Sequence, residues 1–169
     1  DEIGDMSRNV QAKVLRALEQ GEFERVGGEQ TIRVDVRVLA ATNHDLSKLV
    51  ETGKFREDLY FRLNVVPISV PPLRQRRDDI PDLIQHFIGQ CAAETGLRPK
   101  VVSEEAMGIL RTYDWPGNIR ELRNLVERLS IMVGGETIRP ADLPDDLRAS
   151  RGLARTGVSA SGKSLRELR

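Results

Sequence analysis

Apolar residues recur along this chain with two different spacings, and the alternation between them predicts its elements. In residues 7–21, Val10, Val14, Ala17 and Leu18 share one helical face, with Ser7 where a cap belongs and Gly21 where a helix stops. Two alternating runs follow, Glu22–Val26 and Thr31–Val34, separated by Gly27-Gly28-Glu29-Gln30, and this predicts a β-hairpin. Val36–Ala41 is almost continuously apolar and ends at Thr42-Asn43, as expected of a strand buried on both faces in a parallel sheet. Asp45–Glu51 reads as a short helix leading to Gly53. Phe55, Leu59 and Leu63 then fall at i, i+4 and i+8 of a second short helix, and Val65–Val70 reads as a further apolar strand, ended by Pro71-Pro72.

From Asp79 onward the pattern is helical. Asp79 and Pro81 mark a start, and Ile80, Leu83, Ile84, Phe87, Ile88 and Cys91 form the stripe that Gly96 and Pro99 end. Ser103 opens another helix, with Glu104 and Glu105 favoured by its dipole and Ile109 and Leu110 facing inward. Asn118 is placed to cap a third, whose stripe is Ile119, Leu122, Val126 and Leu129, and Trp115 is expected to pack on this helical core. Ala149–Thr156, rich in Arg, Ser and Gly, reads as a linker.

Composition narrows the function classes. Charge is balanced, 26 Lys+Arg against 26 Asp+Glu, so the footprint of a dedicated nucleic-acid binder is missing. Cys91, the one cysteine, excludes an internal disulfide and fits a small core residue. Neither a membrane-length apolar run nor a signal peptide is visible, which leads us to expect a cytosolic protein without membrane partners. At 169 residues the chain can hold one core, or part of a core plus a small second domain. It begins at Asp1 without a methionine and stops at Arg169 inside an apparent helix start, and so reads as a piece of something longer.

Several residues are of types that do chemistry. Asp1-Glu2 is an adjacent carboxylate pair, and Thr42-Asn43 stands at the carboxyl end of a predicted strand, where α/β sheets collect ligands or a loop and helix cap begin. Arg56 and Arg62 flank the Phe55–Leu63 stripe. Six residues at about 100° each set them roughly 120° apart on an unbroken helix, so they are not suited to one job. The alternative is a pair of surface arginines in weak ion pairs with Glu57 and Asp58. Arg74, Arg76 and Arg77 form a charge run, and Arg120 stands in the first turn of the third helix, free for a ligand or for Glu121 or Asp114. His44 and His86 have no metal-ligand spacing and read as loop and helix residues. Gly157–Ser164 fits G-x-x-x-x-G-K-[ST], the phosphate-loop pattern, yet no apolar strand precedes it; we reject it as a nucleotide site.

The wording FREDLYFRLNVVPISVPPLRQRRDDI resembles the arginine-finger segment of the AAA+ ATPases that activate sigma-54 RNA polymerase, the NtrC-like enhancer-binding proteins. The resemblance extends to about Leu147. It implies that Asp1-Glu2 ends a Walker B motif, Asp1 holding Mg²⁺ and Glu2 orienting the attacking water. It further implies that Asn43 is sensor I, beside Thr42, and that Arg56 and Arg62 reach ATP in a neighbouring subunit. WPGNIRELRN resembles the sensor II motif, in which Arg120 contacts the nucleotide of its own subunit, linking lid position to nucleotide state; Arg74 would lie along the nucleotide's edge.

The fold expected from this resemblance is α/β, a partial AAA+ core with parallel strands and an inserted β-hairpin, then an all-α lid. Residues 1–73 would be the second half of the core, 74–148 the lid, 149–164 a flexible linker and 165–169 the start of a helix toward a missing DNA-binding domain. The implied whole is a cytoplasmic transcriptional activator that forms a homo-oligomeric ring, a hexamer or heptamer. It would hydrolyse ATP with Mg²⁺, remodel sigma-54 RNA polymerase and bind enhancer DNA through a C-terminal helix-turn-helix domain. The Walker A motif and the sigma-contacting loop should precede Asp1, so the 169 residues alone are expected to be inactive. Gly96–Lys100 (GLRPK) and DWPGNIR point toward the response-regulator subgroup, NtrC or NtrX. A non-catalytic interaction module that kept the fold is the alternative, or another AAA+ machine such as a helicase loader or chelatase subunit.

Overall fold

The computed structural model describes residues 1–25, 28 and 30–149. They form two compact units that divide between Ser69 and Val70. In the first, a short 3-10 turn, Ile3–Asp5, precedes helix α1, Arg8–Gln20. Strands β1, Glu22–Glu24, and β2, Thr31–Arg33, then pair antiparallel, followed by helices α2, Leu46–Glu51, and α3, Glu57–Leu63.

The hairpin forms with Phe23 opposite Ile32 and a 2.6 Å ion pair from Arg33 to Glu22 at its open end. Gly21 closes α1 with a left-handed φ of 64°, its N–H donating to Ala17 O; Val34 N donates in turn to Gly21 O. A Cβ there would stand 3.0 Å from Val34 O, so glycine is required both by the dihedral and by the close approach.

The buried face of α1 differs from the expected stripe. Leu15 and Gln11 face inward, with Val14 and Leu18 partly buried, whereas Val10 is exposed. The helix is rotated so that Leu15 meets Phe55 and Leu59, which are 2% and 0% exposed, with Ile3 completing the cluster. Burying each such side chain is worth roughly 1.5–3 kcal/mol, enough to choose the face. Ser7 is the N-cap by position but makes no side-chain cap bond.

The apolar runs 36–41 and 65–70 carry no strand ladder; Val65 and Val66 lie in a turn and a bend after α3, and Leu39, Val65, Val66, Ile68 and Val70 are exposed. This corrects the expected parallel core strands. A strand exists only through pairing, and no described strand lies beside either run.

The second unit has helices α4, Ile80–Thr95, α5, Glu104–Thr112, and α6, Asn118–Met132. Strands β3, Val101–Val102, and β4, Thr137–Ile138, pair parallel, so the unit is helical with one small sheet rather than all-α. Its core joins Ile80, Ile84, Phe87 and Ile88 of α4 to Ile109 and Leu110 of α5 and to Leu122, Val126 and Leu129 of α6, with Leu73 and Leu143 closing the ends. Cys91 is buried on the α4 stripe, as expected. Ser103 caps α5 by accepting from Ala106 N, and Gly96 ends α4 in the left-handed region.

Trp115 is wholly buried; its indole N–H donates to Leu110 O at 2.9 Å and its ring meets Tyr113 edge-on. Asn118 does not cap α6. It opens the helix with φ 51°, and its side-chain oxygen accepts from Leu73 N at 2.9 Å. The cap position is Gly117, whose N–H donates to Glu121 Oε2, and a Cβ on Gly117 would come within 2.8 Å of Glu121 Cβ. No described helix is long and apolar enough to cross a membrane.

Candidate functional site

In the first unit, the chain end and the Thr42-Asn43 loop are brought together. Ile3 N donates to Ala41 O at 3.1 Å, and Gly4 packs so tightly that a Cβ would stand 2.9 Å from Thr42 Oγ1. The Thr42 hydroxyl accepts from His44 N, and His44 Nε2 meets Asp5 Oδ1 at 2.8 Å, tying the loop to the same turn. His44 is thus a brace between loop and turn, a pairing that the spacing of the sequence does not reveal.

Asp1, Glu2 and Asn43 are exposed beside this junction, and their side chains have no hydrogen bond or ion pair among the described residues. Glu2 holds φ 52° and ψ 45°, a left-handed conformation that carries strain in a non-glycine residue. No group of three or more His, Cys, Asp or Glu suited to a metal occurs among the described residues. One or two carboxylates beside phosphate oxygens are, however, what Mg²⁺ ordinarily takes, and the uncommitted carboxylates of Asp1 and Glu2 fit that donor set.

Arg56 and Arg62 have different surroundings, but not through the expected separation of roughly 120° on one unbroken helix. Arg56 is the N-cap residue of α3, not a member of the helix. Its guanidinium clasps Asp58 through both Nε and Nη2, at 2.9 and 2.6 Å. That hydrogen bond holds the Asp58 carboxyl below its usual range and raises the Arg56 guanidinium, and the Leu59 N–H donating to Asp58 adds to the effect on the acid. Arg62 stands in the last turn of α3 and donates to Leu18 O at 3.1 Å. The expected partnership with nearby acids holds for Arg56 and Asp58 alone.

In the second unit, a cleft of about 360 Å³ runs between residues 70–73 and the start of α6. Its walls are Pro71, Pro72, Leu73, Asn118 and Ile119, and two arginines, Arg76 and Arg120, line it. The volume and the apolar lining with few polar groups suit a small-molecule site. Arg120 is exposed and has no hydrogen bond or ion pair among the described residues. The acids that were its alternative partners are engaged elsewhere: Asp114 by Arg77 at 2.8 Å and Glu121 by Gly117 N.

The charge run after Pro72 divides its labour. Arg77 donates to Arg111 O, Thr112 O and Asp114 and so caps the end of α5. Arg76 pairs with Asp79 while lining the cleft. Arg74 is exposed and is not among the cleft residues. Arg76, between the 3-10 turns Leu73–Gln75 and Arg77–Asp79, was missed as a lining residue because spacing alone cannot say which of three arginines borders a cleft. The Gly157–Ser164 phosphate-loop match and the expected linker and helix start beyond residue 149 lie outside the described residues.

Known proteins match this chain on both units. Residues 1–69 match the sigma-54 interaction domain and residues 74–159 the AAA+ ATPase lid domain. Among curated relatives, nitrogen assimilation regulatory protein NtrX of Azorhizobium caulinodans is 49% identical over 152 residues, 88% of this chain and 34% of its own length. The Nif-specific regulatory protein of Azotobacter vinelandii is 55% identical, over 82% of this chain and 26% of its own. NtrC of Rhizobium meliloti is 50% identical, over 88% of this chain and 31% of its own. Crystal structures of NtrX from Brucella abortus superpose with TM-scores of 0.83 in complex with ADP and 0.81 in complex with ATP. Their identities are 42% and 40%; the match covers 88% and 98% of this chain, and 35% and 37% of theirs. The chain thus spans about a third of the length of the relatives it matches. With both units matched in order and identities near one half, the chain belongs to the sigma-54-dependent AAA+ transcriptional activators.

Proposed function

We propose that these residues supply the hydrolytic and arginine-bearing part of an ATPase that works between subunits of a homo-oligomeric ring and remodels sigma-54 RNA polymerase. The observation that supports the reading is Ile3 N donating to Ala41 O, which ties the segment that begins with Asp1-Glu2 to the segment that leads into Thr42-Asn43. Hydrolysis needs that set: one carboxylate for the metal, another to orient and polarise a water, and an amide to feel the γ-phosphate. Asp1 would hold Mg²⁺, Glu2 would accept a proton from the water, and Asn43 would fix the water's angle of approach. When bound, Mg²⁺ neutralises phosphate charge. Thr42 keeps the loop in place through its bond from His44 N.

Arg120, which lines its cleft and has no ion pair among the described residues, would contact phosphate of the nucleotide in its own subunit, and the Brucella NtrX complexes with ADP and ATP support a nucleotide ligand. Arg56 and Arg62 would be lent to the nucleotide of a neighbour, where a planar fork stabilises charge on the transferred phosphoryl group. Arg74 would approach the nucleotide's edge. The loop that cradles the phosphates would come from chain outside these 169 residues, as would the DNA-binding domain for enhancer sites. Cytoplasmic location and response-regulator control follow from the same reading.

The test is ATP turnover by a complete activator containing this chain. Glu2→Gln should lower kcat at least a hundredfold while nucleotide still binds. Arg56→Ala and Arg62→Ala should each lower it at least tenfold, and mixing Arg56→Ala with Glu2→Gln subunits should restore part of the activity. If both arginine variants hydrolyse ATP normally on their own, the lending of arginines between subunits is wrong.

A further inference from the structure

The most telling polar group outside the expected set is Gln11, 0% exposed at the first turn of α1. Its amide nitrogen donates to Met6 O at 2.8 Å and to Lys54 O at 3.0 Å, and its oxygen accepts from Arg56 N at 2.9 Å. Reversing the amide would set oxygen against two carbonyls and N–H against N–H, so the orientation follows from the partners.

The contacts to Lys54 O and Arg56 N embrace Phe55, which is itself buried. Arg56 precedes the first turn of α3, so its N–H has no helical partner, and Gln11 supplies one. Arg8, one turn earlier on the same face, donates to Gly53 O, and Leu18 O receives Arg62 at the far end. The face Arg8, Gln11, Leu15, Leu18 therefore lies along residues 53–62 as a splint.

Resting on the reading of Arg56 as an arginine lent to a neighbouring subunit, we propose that Gln11 is its positioning residue. By holding both peptides that flank Phe55, Gln11 fixes the peptide plane that leads into Arg56, and with it the point and orientation from which the Arg56 residue departs. The guanidinium stays partly exposed on Asp58, a contact that can be exchanged for phosphate, whereas the backbone beneath it cannot drift. Gln11 reaches the acid end only through Met6 O, and that end has bonds of its own: Ile3 N to Ala41 O, Asp5 N to Glu2 O and Met6 N to Ile3 O. Loss of Gln11 should accordingly weaken the lent arginine far more than the carboxylates.

Mixed assemblies of a complete activator containing this chain separate the two roles. An acceptor subunit carrying Arg56→Ala keeps its own hydrolytic residues; a lender carrying Glu2→Gln keeps its arginine. With this pair active, Gln11→Met is added to one subunit type at a time. In the lender it should cut ATP turnover at least tenfold with little change in KM; in the acceptor it should cut it less than threefold, which also shows that the variant folds. Equal losses in both positions, or no loss in the lender, would overturn the positioning role. Failure of the parent pair to hydrolyse ATP would instead overturn the lending of Arg56 itself, and the positioning role with it.

Discussion

At the scale of single residues, the arginines owe their character to what their backbones and neighbours do. Arg56 and Arg62 differ by six positions, and that spacing alone separates a residue heading a helix from one in its last turn. The clasp of Arg56 on Asp58 has a pH signature. Hydrogen bonding to Arg56 lowers the Asp58 carboxyl, so the interaction is complete above the ordinary aspartate range and is lost as pH falls through the lowered value. An NMR titration of the Asp58 carboxyl should show a midpoint below that of an ordinary aspartate, moving back up in Arg56→Ala. An Asp58 midpoint that Arg56→Ala leaves unchanged would mean that the clasp is absent in solution. Gln11 shows the opposite case, a neutral amide whose value lies in three backbone partners rather than in charge.

Among the elements, α6 carries the most. Its first turn is shaped by Gly117, Asn118 and Glu121, its inner face by Leu122, Val126 and Leu129, and its outer face presents Arg120 to the cleft. Trp115 sits just before it with a φ of 50°, held by burial and by the bond to Leu110 O. Trp115→Ala should therefore lower the stability of the helical unit by about 3–5 kcal/mol, visible as a large drop in its thermal midpoint. A loss below about 1 kcal/mol would show that the indole is not the keystone of this packing. Helix α1 has the comparable role in the first unit, where its Leu15 packs with Phe55 and Leu59 beneath the arginines.

For the whole molecule, the two units differ in how far they satisfy their own backbones. The helical unit pairs its chain within α4, α5 and α6, while residues 36–41 and 65–70 have no strand ladder. Hydrogen exchange on the 169-residue chain should reflect this. Amides of Ile84–Ile88 and Leu125–Leu129 should be the slowest, and those of Val36–Leu39 and Val65–Val66 should exchange within the first time points. Strong protection of those two runs would mean that they find partner strands, from another copy if nowhere else.

The sequence by itself determined the element order, the apolar stripes of α4 and α6 and the motif wording that places the chain in its family, because periodicity and local capping are properties of neighbouring residues. It also singled out Asp1, Glu2, Asn43, Arg56, Arg62 and Arg120, whose types and positions follow the motifs. What it misjudged depends on contacts distant in the chain. The α1 stripe was set on Val10 because an apolar residue outranks a glutamine locally; only the approach of residues 54–56, more than forty positions away, gives Gln11 the partners that make its burial favourable. Likewise Asn118 has the composition of a cap, yet the Leu73 N–H claims its side chain. Whether an apolar run becomes a strand, and which of three arginines lines a cleft, is decided by what stands beside it in space, and that is written nowhere in the run itself.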